Sequence, residues 1–429
     1  MPDLSLAHLL SNEYVIPLFL VTIFLATLIA TRVKVPYTII LVGIGISISI
    51  LDFTGHGIPN ISGFKVDPKL IIYFVIPPLI FEAMMRIDRE QFKTIRISSL
   101  LLATVGVAVA TIVGGVLLSY VVGLPTIIAF AFAALIAPTD AAMVIEIFKR
   151  VKVPKLLSSM MESEASFNDA AGVIIFSSIM AIAASQGSFL SPEAATNIHV
   201  NILQTIGSFA LVFFGGSAIG IGLAAGSQYL HKLLEEPFSE TALSVAVLFG
   251  SVVIANALGL SGLVAAATAG LWFGIIMRKP NIISEKVRLY ASNFWEMIAF
   301  FANSVAFLYL GLSMDVIRIG QNLPLIALAI VIVLAARAAS TYPILAVTNR
   351  FTKEKTTGKW RNVVMIGGMR GALSVALVAT LPESEIKEIL KTITFGVVLS
   401  SLIIQYPVLS VYIKKVFPEK ISEANNSPK

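Results

Sequence analysis

The sequence predicts an all-α membrane protein that crosses the bilayer about thirteen times. Three observations lead to this prediction. Of 429 residues, 57% are hydrophobic and only 13% are charged, whereas about 25% of the residues in a soluble domain are charged. The hydrophobic residues form repeated apolar runs, and a transmembrane helix needs roughly 20 such residues. The basic residues are concentrated in alternate loops between these runs, as the positive-inside rule requires.

The apolar runs define the predicted spans. Barrel strands are a poor alternative, because they alternate apolar and polar residues. The predicted spans are approximately 14–31, 35–52, 68–85, 97–122, 125–147, 156–184, 200–230, 239–257, 260–277, 291–313, 323–348, 361–381 and 389–413. No connection between them is long enough for a soluble domain. Residues 1–429 are therefore predicted to form a single transmembrane domain.

The basic residues orient the chain. With the N-terminus outside and the C-terminus inside, 24 of the 31 Lys and Arg residues fall in inside loops and five in outside loops. The formal net charge of +6 thus reflects orientation in the plasma membrane, with lipid as the surrounding partner, rather than nucleic-acid binding. The stretch from Met1 to Glu13 has no basic residue, so we predict no secretory signal there. Cysteine is absent, which excludes disulfides and thiolate metal sites; we predict no cofactor.

Several charged residues fall inside the predicted spans. A charge at mid-membrane costs about 3 kcal/mol or more, so it usually faces a partner or a watery cavity. Glu146 and Glu296 lie near cytoplasmic span ends, where an interfacial position is the better interpretation. The remaining charges are Glu82 in span three, Asp140 in span five, Glu162, Glu164 and Asp169 in span six, Arg337 in span eleven and Arg370 in span twelve.

Span six carries three of these carboxylates. Asp169 lies thirteen residues after Leu156, roughly 20 Å into the membrane at 1.5 Å per residue. Glu162 shares a helix face with Asp169, whereas Glu164 points about 140° away from it. We interpret the two directions as two roles, one carboxylate binding an ion and another pairing with an arginine. An interfacial position is an equally good interpretation of Glu162.

Two spans carry helix-breaking residues beside a charge. Pro138 precedes Thr139 and Asp140 in span five, and glycines at 367, 368 and 371 surround Arg370 in span twelve. Backbone groups freed by such breaks must find a partner or line a cavity. The two spans cross the membrane in opposite directions, so paired broken helices predict an inverted-repeat transporter. An ordinary proline kink is the weaker alternative for span five.

Span seven contains two motifs of paired small residues, Gly216-xxx-Gly220 and Gly222-xxx-Gly226. Such motifs let helices approach closely. We favour packing within the chain over a dimer contact for both.

Taken together, these residues resemble the monovalent cation:proton antiporter family, in the branch of the prokaryotic NhaP exchangers and the eukaryotic sodium/proton exchangers. The resemblance covers the whole chain in the number and order of helices. The matching motifs are Pro77-Pro78-Leu79-Ile80-Phe81-Glu82, Thr139-Asp140, Glu164-x-x-x-Asn168-Asp169, Arg337 and Gly368-Met369-Arg370-Gly371.

The resemblance implies a cation site inside the bundle. Asp169 would bind either the cation or a proton. Asp140, the Thr139 backbone and Glu82 would complete a Na⁺ site. Glu164 and Arg370 would form a structural ion pair with Asn168 nearby, and Arg337 is carried over as a further intramembrane charge.

Two departures from the family pattern affect ion preference. Ala165 stands where the family usually has Ser after the motif glutamate, and Ser166 is the candidate substitute although it faces about 100° away. Ala141 stands where the family often has Pro. We expect Na⁺ as the first choice, with Li⁺ tolerated.

The resemblance further implies exchange of Na⁺ or Li⁺ for H⁺ by alternating access. Asn168 stands where electrogenic relatives carry a second Asp, so the expected ratio is one to one. The alternatives are K⁺/H⁺ exchange, a cation channel and, least favoured, an enzyme with an aspartyl pair. A homodimer is expected, with spans 3–6 and 10–13 as the core bundle and spans 1, 2 and 7–9 as the dimerisation bundle.

Overall fold

The computed structural model describes residues 15–33, 35–53, 70–87, 89–151, 153–185, 202–231, 236–279, 283–352 and 355–417. Helices and short connections make up these ranges, and no strand occurs within them. The prediction of an all-α protein is therefore confirmed. The stretch from Met1 to Glu13, for which the sequence predicts no secretory signal, lies outside the described residues.

The helices follow the apolar runs of the sequence. Serine, threonine or aspartate side chains cap several N-termini, because they accept from main-chain amides that have no partner within the helix. The capped helices are those that begin at Gly262, Glu285, Val316, Gly358 and Glu385. The first nine helices are α1 Val15–Val33, α2 Tyr37–Phe53, α3 Ile76–Arg86, α4 Arg89–Leu101, α5 Val107–Leu117, α6 Thr126–Ile136, α7 Ala142–Arg150, α8 Lys155–Ser185 and α9 Ile202–His231. The other nine are α10 Pro237–Ala257, α11 Gly262–Met277, α12 Glu285–Leu312, α13 Val316–Gln321, α14 Leu323–Thr348, α15 Gly358–Ile366, α16 Ala372–Ala379, α17 Glu385–Ser400 and α18 Tyr406–Val416.

Short π-helical segments join several of these helices into longer rods. They are Ile71–Val75 before α3, Leu102–Gly106 and Leu118–Val122 on either side of α5, and Ser401–Gln405 between α17 and α18. In the described ranges, six continuous helices are long and apolar enough to cross a membrane. Four shorter apolar helices accompany them. The protein is thus a multi-pass membrane protein, and the exact number of thirteen spans stays a prediction.

The helices pack as two bundles. The first contains α4, α5, α6, α8, α14, α15, α16, α17 and α18, with α5 on α6, α4 on α8 and α14 on both α5 and α17. The second contains α1, α2, α3, α9, α10, α11 and α12, with α3 and α9 on α11 and α2 on α12. Helix α8 also contacts α3, α9 and α11 of the second bundle. Spans three and ten, which the sequence assigns to the core bundle, thus make their most extensive contacts in the second bundle.

Glycines and aromatic rings fix the second bundle. Gly270 and Gly274 of α11 lie directly against the main chain of α3, so any larger side chain there would collide with it. The buried Phe81 ring on α3 packs 4.6 Å from the ring of Trp295, centroid to centroid. The close approach leaves little freedom for the main chain around Phe81.

The two motifs of span seven have different surroundings. A Cβ at Gly216 would collide with the main chain of Ser261, the cap of α11, and one at Gly220 with the main chain of α11 itself, which confirms packing within the chain for this motif. Around Gly222 and Gly226 there is open space. For the second motif, Gly222 and Gly226, the prediction of packing within the chain is therefore wrong.

Candidate functional site

Two interrupted helical stretches meet in the first bundle. Helix α6 ends at Ile136 and α7 begins at Ala142. Similarly, α15 ends at Ile366 and α16 begins at Ala372. The non-helical residues between them touch, because the amide of Asp140 donates to the carbonyl of Met369 at 2.8 Å.

Small residues permit this contact. A Cβ at Gly371 would collide with the Asp140 side chain, and one at Gly172 of α8 would collide with the Pro138 ring. The backbone of Gly371 is extended, with φ −128°. Glycine is therefore required here by the proximity of Asp140 and not by an unusual backbone angle.

A cavity of about 740 Å³ opens beside this meeting point. All five residues predicted to bind the cation or carry the proton line it, from three separate helical stretches: Glu82, Thr139, Asp140, Ser166 and Asp169. Asp140 and Asp169 also lie within electrostatic range of each other. The structure thus places the predicted ion-binding residues around one space.

These residues do not form a compact metal centre. Within the described ranges, no group of three His, Cys, Asp or Glu side chains is close enough to hold a metal ion. Glu82 is bound instead by the guanidinium of Arg86. The set of Na⁺ ligands predicted from Asp169, Asp140, Thr139 and Glu82 therefore stays a prediction, and in this conformation Glu82 is paired with Arg86.

Behind the cavity, a buried hydrogen-bond network joins α8 to the interruption after α6. The Asn168 side-chain amide donates to the Thr139 hydroxyl at 2.7 Å and to the Glu164 carboxylate at 2.8 Å. Its side-chain oxygen accepts from the Thr139 amide at 3.2 Å. Asn168 is fully buried and Glu164 almost so. Both polar groups of the Asn168 side chain are thus occupied within the protein.

Glu164 forms an ion pair with Arg337 of α14. The guanidinium donates from its two terminal nitrogens to the two carboxylate oxygens, at 2.8 and 3.3 Å. This two-point arrangement is the strong geometry for an arginine and a carboxylate. The sequence-based prediction that Glu164 pairs with Arg370 is therefore wrong, and Arg337 is the partner of Glu164 in the structure.

Arg370 has a different set of partners. Its guanidinium donates to the carbonyls of Ala137 and Pro138, the second at 3.0 Å, at the end of α6. Its own amide donates to the Ser401 hydroxyl at 3.2 Å. A cation at the C-terminal end of a helix interacts favourably with the helix dipole and with carbonyls that lack helical partners. Arg370, in the interruption between α15 and α16, thus stabilises the interruption between α6 and α7.

Ser166 lines the cavity, and its hydroxyl makes a hydrogen bond within its own helix. Its Oγ donates to the main-chain carbonyl of Glu162 at 2.8 Å. Ala165 also lines the cavity and has no hydroxyl to offer. This bond uses the hydroxyl proton and leaves the oxygen lone pairs, which are the groups that bind a cation. Ser166 therefore stays the candidate substitute for the serine that the family usually has at 165.

Sequence reasoning missed three residues of the cavity wall. The sequence predicts interfacial positions for Glu146 and Glu296 and a loop position for Arg86, yet all three line the cavity. The spacing of Glu82 and Arg86, four residues apart on one helix, is a signal that could have revealed their pairing. Glu162, for which an interfacial position was equally favoured, lines the cavity as well.

The chain is similar to known proteins over most of its length. Residues 19–415 match the family described as sodium/hydrogen exchanger, transmembrane. The chain is 31% identical to the Na⁺/H⁺ antiporter ApNhaP of Aphanothece halophytica over 385 residues, 89% of this chain and 70% of that protein. It is 30% identical to the Na⁺/H⁺ antiporter NhaH of Halobacillus dabanensis over 395 residues, 90% of this chain and 94% of that protein. The fold matches the sodium proton antiporter MjNhaP1 of Methanocaldococcus jannaschii with a TM-score of 0.73 and 20% identity, covering 94% of this chain and 99% of that one.

Proposed function

Because the chain belongs to the sodium/hydrogen exchanger family, we propose that it exchanges Na⁺ for H⁺ across the cell membrane. One observation carries the proposal beyond family membership. The carboxylates of Asp140 and Asp169 face one cavity at the point where two interrupted helices touch. Oxygen ligands of this kind suit hard cations and protons.

Asp169 is the group for which the cation and the proton compete. It extends from α8 into the cavity, while Asp140 approaches from the interruption after α6. The Thr139 hydroxyl is engaged by Asn168 and Glu164, so Thr139 contributes its main-chain oxygen. A proton and Na⁺ cannot neutralise the same carboxylate at once, and this exclusion couples the two fluxes.

The cavity lies between two bundles that move relative to each other. Glu82 belongs to α3 of the second bundle, whereas Asp140 and Asp169 belong to the first. The helix packing supports a core bundle of spans 4–6 and 11–13 and a dimerisation bundle of spans 1–3 and 7–10. The sequence predicts spans three and ten in the core bundle, so this division differs from the sequence-based one at those two spans. Alternating access then consists of one bundle moving against the other around the ion.

The cavity opens to the cytoplasm in this conformation. Arg86 ends α3 and begins a cluster of basic residues that the positive-inside rule assigns to the cytoplasm. Arg86 and Glu296 both lie on the cavity wall and are partly exposed. The N-terminus is accordingly outside and the C-terminus inside, and the interruptions of α6–α7 and α15–α16 are the two broken helices of an inverted repeat.

The protein functions as a homodimer in the membrane. Gly222 and Gly226 leave open space on α9, and motifs of this type let transmembrane helices approach closely. Cross-linking in native membranes tests the dimer separately from transport.

Reconstituted liposomes containing a pH-sensitive dye test the exchange. Addition of Na⁺ to the outside should drive proton movement in the opposite direction, with Li⁺ also accepted. Potassium exchange is the alternative that the Ala165 position keeps open, because the family's hydroxyl ligand is absent there. Proton movement driven by K⁺ and not by Na⁺ would replace the Na⁺ assignment. No cation-driven movement in correctly inserted protein would contradict the exchange function.

The exchange is electroneutral, one Na⁺ for one H⁺. Asn168 cannot titrate, and its side chain is occupied by Thr139 and Glu164. A net charge crossing would couple to voltage at about 2.3 kcal/mol per 100 mV. In liposomes clamped with potassium and valinomycin, the Na⁺ gradient that stops net flux should equal the pH gradient at every potential. A voltage-dependent stopping point would contradict the ratio, and currents far above carrier turnover would indicate a channel.

A further inference from the structure

One positively charged side chain lies in the wall of an otherwise acidic cavity. Six carboxylates line the space, and Arg86 is the only Lys, Arg or His among the described lining residues. The carboxylates are Glu82, Asp140, Glu146, Glu162, Asp169 and Glu296. A cation fixed in a route for cations needs an explanation, because it repels the transported ion.

Arg86 is held by carboxylates on two helices. Its Nε binds the Glu82 carboxylate one helical turn earlier on α3, and a terminal nitrogen lies 3.5 Å from the Glu296 carboxylate of α12. Glu162 of α8 is also within electrostatic range. Glu82 is largely buried, with 10% of its side chain exposed, while Arg86 is 39% exposed. The guanidinium can therefore leave toward the open cavity, whereas Glu82 cannot.

The main chain of α3 does not depend on Arg86 for its position. Arg278, which directly follows α11, donates to the carbonyls of Met85 at 3.3 Å, Arg86 at 2.7 Å and Ile87 at 3.2 Å. The helix also packs closely on Gly270 and Gly274 of α11. Replacing the Arg86 side chain should therefore leave α3 in place and change only the electrostatic surroundings of Glu82.

From these contacts we infer that Arg86 competes with the transported cation for Glu82 and thereby sets the cavity's apparent affinity for Na⁺. Arg86 is a positioning residue, because it acts through the Glu82 carboxylate. While the guanidinium occupies Glu82, the second bundle offers the entering ion no unengaged carboxylate at that point. When the guanidinium leaves, Glu82 can face the ion held by Asp169 of the first bundle. The inference rests on the proposed exchange of Na⁺ for H⁺.

The test compares Arg86→Gln with Arg86→Lys in the liposome assay. Arg86→Gln should lower the apparent KM for Na⁺ about fivefold, the factor equivalent to ~1 kcal/mol for one unit charge at 4 Å in water. Its maximal rate should stay within about twofold of wild type, since the Asp169 site is untouched. Arg86→Lys keeps the charge and should restore a KM close to wild type. In a Glu82→Gln background, the effect of Arg86→Gln on KM should largely disappear.

A matched control is Arg288→Gln, which removes an exposed arginine that pairs with Glu285 near the start of α12 and is absent from the cavity wall. It should leave KM unchanged. An unchanged or raised KM in Arg86→Gln would overturn the inference, as would an undiminished effect in the Glu82→Gln background.

Equilibrium binding separates this inference from the proposed function. If wild type gives no Na⁺-driven proton flux, the exchange function fails, and binding of radioactive Na⁺ to the purified protein decides the role of Arg86. Arg86→Gln should then bind Na⁺ about fivefold more tightly, by the same electrostatic argument. Equal or weaker binding by Arg86→Gln, in protein with a wild-type unfolding temperature, would contradict the competition.

Discussion

The two faces of α8 place similar carboxylates in different surroundings. Glu164 and its neighbour Asn168 face the first bundle, where Arg337 and Thr139 satisfy them by hydrogen bonds. Asp169 lies five residues beyond Glu164 and lines the cavity instead. Five residues correspond to about 140° of rotation. One face therefore fixes the helix and the other presents an exchangeable group, and the comparison predicts separable effects on stability and on transport.

The largest effect on stability is expected from the buried face. Breaking the pair by Glu164→Ala or Arg337→Ala leaves a buried charge without a partner, at a cost of about 3–5 kcal/mol. Both variants should unfold at a clearly lower temperature than wild type in detergent. The double variant should lose less than the sum of the two, because the residues are coupled.

Two further variants sharpen this test. The exposed pair of Glu285 and Arg288 provides the control, since breaking an exposed pair should cost about 1 kcal/mol or less. A parallel cycle between Glu164 and Arg370 should show weaker coupling than the cycle with Arg337. Stronger coupling to Arg370 would contradict the ion pair seen in the structure.

A smaller effect on stability, together with a loss of transport, is expected where the interruptions meet. In Gly371→Ala, the new methyl group collides with the Asp140 side chain and must displace it. Such overpacking typically costs about 1–3 kcal/mol, and the displaced carboxylate should slow the exchange measured in liposomes. Gly250→Ala on α10 is the control, because a Cβ there meets open space. Unimpaired exchange by Gly371→Ala would show that the position of Asp140 is not critical.

The smallest effect is expected from restoring a hydroxyl to the cavity face. Ala165→Ser should favour Na⁺ over K⁺ by a few-fold in apparent KM, since one added polar contact is worth about 1 kcal/mol. Ser166→Ala removes the other hydroxyl oxygen on this wall of the cavity and should shift the ratio toward K⁺, because the Ser166 hydroxyl donates its proton to the Glu162 carbonyl and keeps its lone pairs for the ion. An unchanged ratio in Ala165→Ser would show that this position does not contribute to ion preference.

The sequence predicts the helices and the cavity residues well for a physical reason. Hydrocarbon penalises every buried charge, so carboxylates such as Glu82, Asp140 and Asp169 are conspicuous in apolar runs. Helical periodicity also separates Glu164 from Asp169 by direction. Both inferences need only local sequence. The structure places Glu82, Asp140 and Asp169 on the wall of one cavity.

The arginine pairing could not be predicted in the same way. Arg337 and Arg370 both lie within predicted spans, and either could reach Glu164 at that depth. Which one does so depends on how α14 packs against α5 and α17 and on the carbonyls of Ala137 and Pro138 that bind Arg370. Periodicity within one helix carries no information about the rotation of another, so the choice required the tertiary structure.

The measurement that tests the account most directly is Na⁺-driven proton flux by Asp169→Asn in liposomes. The substitution removes the charge for which Na⁺ and H⁺ compete and nearly keeps the shape of the side chain. Glu162→Gln, two turns earlier on the same helix and also on the cavity wall, is the matched control and should retain exchange. The account predicts that Asp169→Asn unfolds at the wild-type temperature and gives no exchange. Exchange at the wild-type rate by folded Asp169→Asn would contradict the assignment of Asp169 as the shared site.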